Sequence, residues 1–125
     1  MTKVRDASTE AHRTTVESSI ADIAAFLQDA LGQKLVAFMA GVEDPKTIGR
    51  WASEKRLPQA PEAERKLRDA YHVFRLLMTQ ESPHTVRAWF VGLNPQLDDE
   101  SPAAAISEGR TRDVMVAAKA FLAGG

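Results

Sequence analysis

Apolar residues recur along most of this chain at the three-and-four spacing of a helix face, and the runs are separated by glycine or proline. The first stripe is Val16, Ile20, Ile23, Ala24, Phe26, Leu27 and Leu31, ended by Gly32. A shorter one carries Leu35, Val36, Phe38 and Met39 and stops at Gly41. Asp44-Pro45 has the form of an N-cap followed by proline at the first helical position, where the missing N–H costs nothing. It predicts a helix running through Ala52 and ending near Ser53. "EKRLPQAP" reads as a linker, because its two prolines cannot continue a helix.

Pro61 opens the longest helix, with Leu67, Ala70, Tyr71, Phe74, Leu77 and Met78 on one face. Ser82-Pro83 repeats the cap-and-proline start, and Val86, Trp89, Phe90 and Leu93 form the next buried stripe. Asn94-Pro95 stops it, since a residue before proline is pushed out of the helical region. Ser101-Pro102 opens a short helix closed by Gly109, and Val114, Met115, Ala117, Ala118, Phe121 and Leu122 form the last one. No segment alternates apolar and polar residues with β-branched enrichment, so no sheet is expected. The prediction is an all-α fold of about seven helices. Residues 1–15 form a flexible N-terminus, 16–60 a helix-turn-helix domain, and 61–125 a long helix followed by a small C-terminal module.

Composition narrows the function classes. At 125 residues, 44% hydrophobic and 26% charged, the chain can bury a core of its own without a disulfide or metal staple. It has no cysteine, which removes disulfides, thiolate nucleophiles and cysteine-based zinc sites together. No apolar run approaches a membrane span or the core of a signal peptide, and a cytoplasmic location is expected. The histidines His12, His72 and His84 are far apart, and none has a second ligand one helical turn away. The carboxylates Asp98, Asp99 and Glu100 lie on a turn open to water, and no glycine-rich phosphate loop is present. No enzyme, no metal and no cofactor are expected.

The middle of the chain, "LVAFMAGVEDPKTIGRWASEKRLP", has the layout of a helix-turn-helix. Its parts are an apolar first helix, a Gly-Val turn, a capped second helix with Ile48 and Trp51 facing inward, and a basic exit. In a DNA-binding version the second helix enters the major groove. Lys46, Thr47 and Arg50 are then candidates for base edges, with Lys55 and Arg56 on phosphates. Residues 32–60 carry five basic groups against three acidic, and they are the only net-positive segment. That is a small electrostatic footprint for a nucleic-acid binder. Glu43 and Asp44 bring negative charge to where the helix would meet phosphate, and the turn is one residue longer than the common "G-V-S-x-x-T-I-x-R-W" spacing. The other reading of Trp51 is a core residue in a packing scaffold.

The C-terminal segment "TVRAWFVGLNPQLDDESPAAAISEGRTRDVMVAAKAFLAGG" resembles the toxin-binding domain of the Xre/MbcA/ParS-type antitoxins. The resemblance rests on Trp89-Phe90, Asn94-Pro95, Leu97, Ser101-Pro102, Gly109 and a closing helix rich in Val and Ala, in that order. An Xre-like helix-turn-helix precedes that domain in the family, and residues 35–58 fill its position. The resemblance implies an antitoxin that binds a cognate RES-domain toxin, an NAD-consuming enzyme, and covers its active site with the last helix or tail. The residues so implied are Arg110, Arg112, Lys119, Phe121, Leu122 and Gly125, with Phe121 and Leu122 open to the alternative of packing on the chain's own core. Operator DNA is the second partner expected, bound by a homodimer whose interface is the helix over 16–31 or the apolar residues from Phe74 to Met78. A transcriptional regulator without a toxin, its C-terminal module serving dimerisation, is the competing reading. A scaffold that keeps the helix-turn-helix shape without using it is a third.

Overall fold

The computed structural model describes residues 9–11 and 18–124. Expectations placed on His12, Val16 and Gly125, and on residues 1–8, lie outside the described residues. Residues 9–11 are helical, and the helices that follow are α1 (Ile20–Leu31), α2 (Gln33–Ala40), α3 (Lys46–Ala52), α4 (Pro61–Leu77), α5 (Pro83–Val91), a 3₁₀ turn (Pro95–Leu97), α6 (Pro102–Ser107) and α7 (Thr111–Leu122). The fold is all-α; among the described residues there is no strand, only an isolated bridge between Asn94 and Glu100.

Local chemistry starts most of these helices. The hydroxyls of Ser19, Ser82 and Ser101 accept the backbone N–H three residues on, from Asp22, Thr85 and Ala104, at 3.0–3.2 Å. Asn94 does the same for the 3₁₀ turn, its Oδ1 accepting from the Gln96 N–H at 2.9 Å. Each bond satisfies a donor that the first helical turn leaves orphaned. Because Ser18 and Ser19 are not helical and Ser19 caps α1, that helix begins at Ile20, not at Val16 as the apolar spacing suggested. Asp44 accepts from the Lys46 N–H at 3.0 Å, and Pro45 already has helical dihedrals, so the cap-and-proline reading of α3 agrees with the geometry.

Two helices end in the same motif. At Gly41 the φ is +78°, with Gly41 N–H bonded to Phe38 O and Val42 N–H to Ala37 O. At Gly109 the φ is +79°, with Gly109 N–H bonded to Ile106 O and Arg110 N–H to Ala105 O. Both are Schellman caps, whose left-handed residue is strained for anything with a Cβ. Gly109→Ala should therefore lower stability by roughly 1–2 kcal/mol. No atom stands within 4 Å of the Cβ it adds, so a urea melt would report backbone strain alone.

Helix α4 is the centre of the body. Its C-terminal half buries Val73 and Leu76 as well as the expected Ala70, Tyr71, Phe74 and Leu77. A helix apolar nearly all round is a helix surrounded on all sides, and α1, α2, α6 and α7 all pack on α4. The buried residues of both expected domains belong to one continuous cluster. An aromatic chain crosses it. Phe26 meets Tyr71 and Phe74 edge-on at 5.2 and 5.4 Å, and Phe74 stacks on Phe90 at 5.8 Å. Phe90 meets Trp89 edge-on at 5.5 Å, and Trp89 reaches Phe121 at 6.4 Å.

One expectation of burial is corrected. Leu93 is 79% exposed rather than part of the buried stripe, because α5 ends at Val91 and Gly92 turns extended, so the helical phase does not reach it. The apolar residues of α1 and those around Phe74 divide between core and surface: Ile23, Ala24, Leu27, Leu31, Phe74 and Leu77 are buried, while Ile20, Phe26, Ala30 and Met78 are only partly buried.

Candidate functional site

The chain presents two surfaces that carry the sequence-stated candidates, one on α3 and one on α7. On α3 the helical phase divides them. Thr47, Ile48 and Trp51 face inward, and Thr47 is only 7% exposed, so it is turned away from any groove. Lys46 and Arg50 face outward, one turn apart. Arg50 Nη1 lies 3.6 Å from Asp44 Oδ2, so the carboxylate that caps α3 also holds the guanidinium beside the helix start. Lys55 and Arg56 are exposed on the exit, which the Arg56 N–H folds back to Arg50 O at 3.3 Å. Of the two acids in the turn, Asp44 is occupied in this way, while Glu43 is exposed with no ion pair among the described residues.

Gln33, which the sequence did not single out, also belongs to this surface. Its Nε2 lies 2.8 Å from where a Cβ on Gly49 would be, and it donates to Gln28 Oε1 at 3.0 Å. A side chain at Gly49 would thus meet the Gln33–Gln28 pair at the α1–α2 corner. Only the fold could have revealed this.

On α7 the core face is Val114, Ala117 and Ala118, and the opposite face lines up Arg112, Val116 and Lys119 at i, i+4 and i+7. All three are exposed, Val116 by 57%. Arg112 and Lys119 form no ion pair among the described residues. Val116 was missed because it sits inside the run "VMVAA"; the four-residue step from Arg112 is the signal that could have found it. Phe121 lies on the core side at the end of the helix, 36% exposed with its ring against Trp89. Leu122 is partly buried and packs on the core, the second of the two alternatives stated for it.

Arg110 is committed inside the chain. Its Nε donates to Asp113 Oδ2 at 3.2 Å, and its Nη1 to Glu100 Oε1 at 3.2 Å and to Glu108 Oε1 at 3.5 Å. The hydrogen bond to Asp113 is the largest influence, ahead of the partial loss of water, and with the two glutamates it raises the guanidinium pKa above its ordinary value. The role this geometry gives Arg110 is to bridge three carboxylates, offsetting part of their charge, where the Asn94–Ser101 loop, the end of α6 and the start of α7 meet. Thr111 ties the same junction to α4 by donating to Asp69 Oδ2 at 2.6 Å. The remaining motif residues are structural here: Asn94 and Ser101 cap, Pro95 and Pro102 occupy first helical positions, and Trp89 joins the aromatic chain.

Trp51 is 3% exposed, and its Nε1 is buried without a hydrogen-bond partner. Such a group carries a desolvation penalty of about 1–3 kcal/mol. Among the described residues no three His, Asp or Glu side chains gather to hold a metal ion, and no helix is long and apolar enough to cross a membrane. Comparison with protein-family models, with curated proteins and with solved structures returns no match for this chain.

Proposed function

We propose that this chain is an antitoxin-like binding protein that neutralises an NAD-consuming, RES-type toxin by covering its active site. One observation carries this reading: the outward face of α7 sets an exposed valine between Arg112 and Lys119, two cations with no ion pair among the described residues, on a helix whose other face is rooted in the core. An apolar centre flanked by basic groups suits a cleft that binds an anionic dinucleotide, with charge-assisted hydrogen bonds at its rim. The rigid rooting of α7 lowers the ordering cost of binding. Inhibition is by occlusion, with no chemistry on the antitoxin's side.

The test is co-expression with the product of the neighbouring reading frame, followed by size exclusion and measurement of cellular NAD. A stable complex with NAD preserved supports the reading; no complex and continued NAD loss overturns it. Deleting residues 110–125 is a poor probe, because it removes Val114, Ala117 and Ala118 from the core and Arg110 from its three acids. Surface substitutions are needed instead.

A second activity, repression of its own operator, draws support from the outward placement of Lys46 and Arg50 on α3. If α3 enters a major groove, Glu43→Ser removes an unpaired negative charge facing phosphate, and affinity for operator DNA should rise several-fold at low salt. Asp44→Ser keeps a cap but frees Arg50, and combining the two should raise affinity further. Filter-binding titrations across a salt series measure both. Unchanged affinity and an unchanged salt slope would end the groove reading.

A further inference from the structure

An open groove of about 430 Å³ lies between the start of α2 and the end of α5. Leu35 and Val91 are among its apolar lining, and Lys34 and Arg87 are its two charged residues. Both cations are exposed, neither has an ion pair among the described residues, and no acid lines the groove. Arg87 and Val91 stand one turn apart on α5, so the helix that brings a cation also brings an apolar residue that is 54% exposed.

Beyond Val91 the chain changes character. Leu93, two residues on, is the most exposed large apolar side chain among the described residues. Asp98 and Asp99 follow, both exposed and neither in an ion pair among the described residues. Their φ values of +56° and +65° lie in the left-handed region, which strains a residue with a Cβ. The loop is nevertheless tied down. The Asp99 N–H donates to Asn94 O at 3.0 Å, the Asn94 N–H donates to Glu100 O at 3.1 Å, and Arg110 holds the Glu100 carboxylate. The two acids are thus fixed close to Leu93, which lowers the ordering cost of any contact they make.

Along the chain the order is cation, apolar pair, acids. A surface ordered in this way is complementary to its own copy. A two-fold axis through the apolar pair sets the cations of each chain against the acids of the other. Apolar surface then meets apolar surface at the centre, with opposite charges on both flanks. An anionic lipid surface or a nucleic acid fits worse, because Asp98 and Asp99 would face its phosphates.

We propose that this face is a docking surface for a second copy of the chain, with Lys34 and Arg87 of each protomer against Asp98 and Asp99 of the other, across a centre of Val91 and Leu93. The interface is small, so the association is weak, in the micromolar range. It uses no residue of α3 or α7 and needs neither a toxin nor DNA, so it stands or falls apart from the antitoxin reading.

Sedimentation equilibrium of the full-length chain, up to millimolar concentration, tests it. The wild type should pass reversibly from monomer to dimer, and less readily as salt rises. Lys34→Glu with Arg87→Glu should stay monomeric, and so should Asp98→Lys with Asp99→Lys. An equimolar mixture of these two variants should dimerise, because each contact across the axis then joins opposite charges. The recovered dimer would also show that both variants are folded. Arg65→Glu with Lys66→Glu, on α4 and outside the groove, changes the net charge equally and should leave the dimer intact. Leu93→Ser should weaken it about tenfold. The proposal fails if the wild type is monomeric at every concentration, if either reversed variant still dimerises, or if their mixture does not. It fails equally if the α4 variant loses the dimer or Leu93→Ser leaves it unchanged.

Discussion

Replacing Phe74 with alanine should remove roughly 3–5 kcal/mol of stability, the usual range for deleting a fully buried phenylalanine. That is a large share of the about 5–15 kcal/mol that a domain of this kind possesses. Phe74 has no exposed surface and sits on α4, the helix on which α1, α2, α6 and α7 pack. Its ring meets Phe26 of α1 edge-on and stacks on Phe90 of α5, so three helices lose contact with one another in a single substitution. Closing the resulting cavity would need α1 and α5 to move together, and both are fixed by serine caps at their starts and by further core residues. The cost should therefore fall near the upper end. Urea denaturation measures it: the midpoint should drop with the slope unchanged. Phe38→Ala is the control, because Phe38 stands half-exposed on α2 and its removal should change stability by no more than about 0.5 kcal/mol. Equal effects at the two positions would mean that α4 is not the centre of the core.

The contrast between these two phenylalanines shows what the sequence carries. Helix starts were legible wherever a cap was followed by proline, as at Ser82 and Ser101, because capping and proline chemistry act within four residues. Ser19 was not legible, because Val16 lies four residues before Ile20 and the apolar spacing runs through the cap without a break. Leu93 was misplaced for the converse reason: periodicity continues on paper past the point where Gly92 leaves the helix. Which face of α4 is buried was legible only in part, since its burial on nearly every side depends on four helices remote in sequence.

The same boundary runs through the candidate site. Thr47 and Arg50 looked alike as polar residues near the start of a recognition helix, but the edge of the buried face falls between them, leaving Thr47 inside with Ile48 and Trp51 and Arg50 outside. Arg110 looked like a free cation. Its three acids come from positions 100, 108 and 113 on different elements, and only the folded chain brings them to one guanidinium. The unsatisfied indole of Trp51 had no sequence signal, since a missing partner is a property of the packed structure.

Val116→Asp combined with Lys119→Glu should abolish toxin neutralisation while leaving the fold intact. Val116 is more than half exposed and Lys119 exposed, with the core contacts of α7 made by Val114, Ala117 and Ala118 on the other side, so the thermal midpoint should hardly change. At the proposed interface both changes act in the same direction. The aspartate puts a charge into the apolar centre with no partner to receive it, and the glutamate faces an anion-binding cleft with the wrong sign. Hot-spot losses of this kind run to about 2 kcal/mol or more, so a weakening of at least about 30-fold in Kd is expected. Titration of purified toxin with the variant would measure it, with NAD survival in co-expressing cells as the second readout. Lys46→Glu with Arg50→Glu gives the reciprocal case: full NAD protection should persist, because those residues lie on α3, while operator binding should be lost. A variant at 116 and 119 that still protects NAD with unchanged Kd would remove α7 from the interface and, with it, the observation on which the antitoxin reading stands.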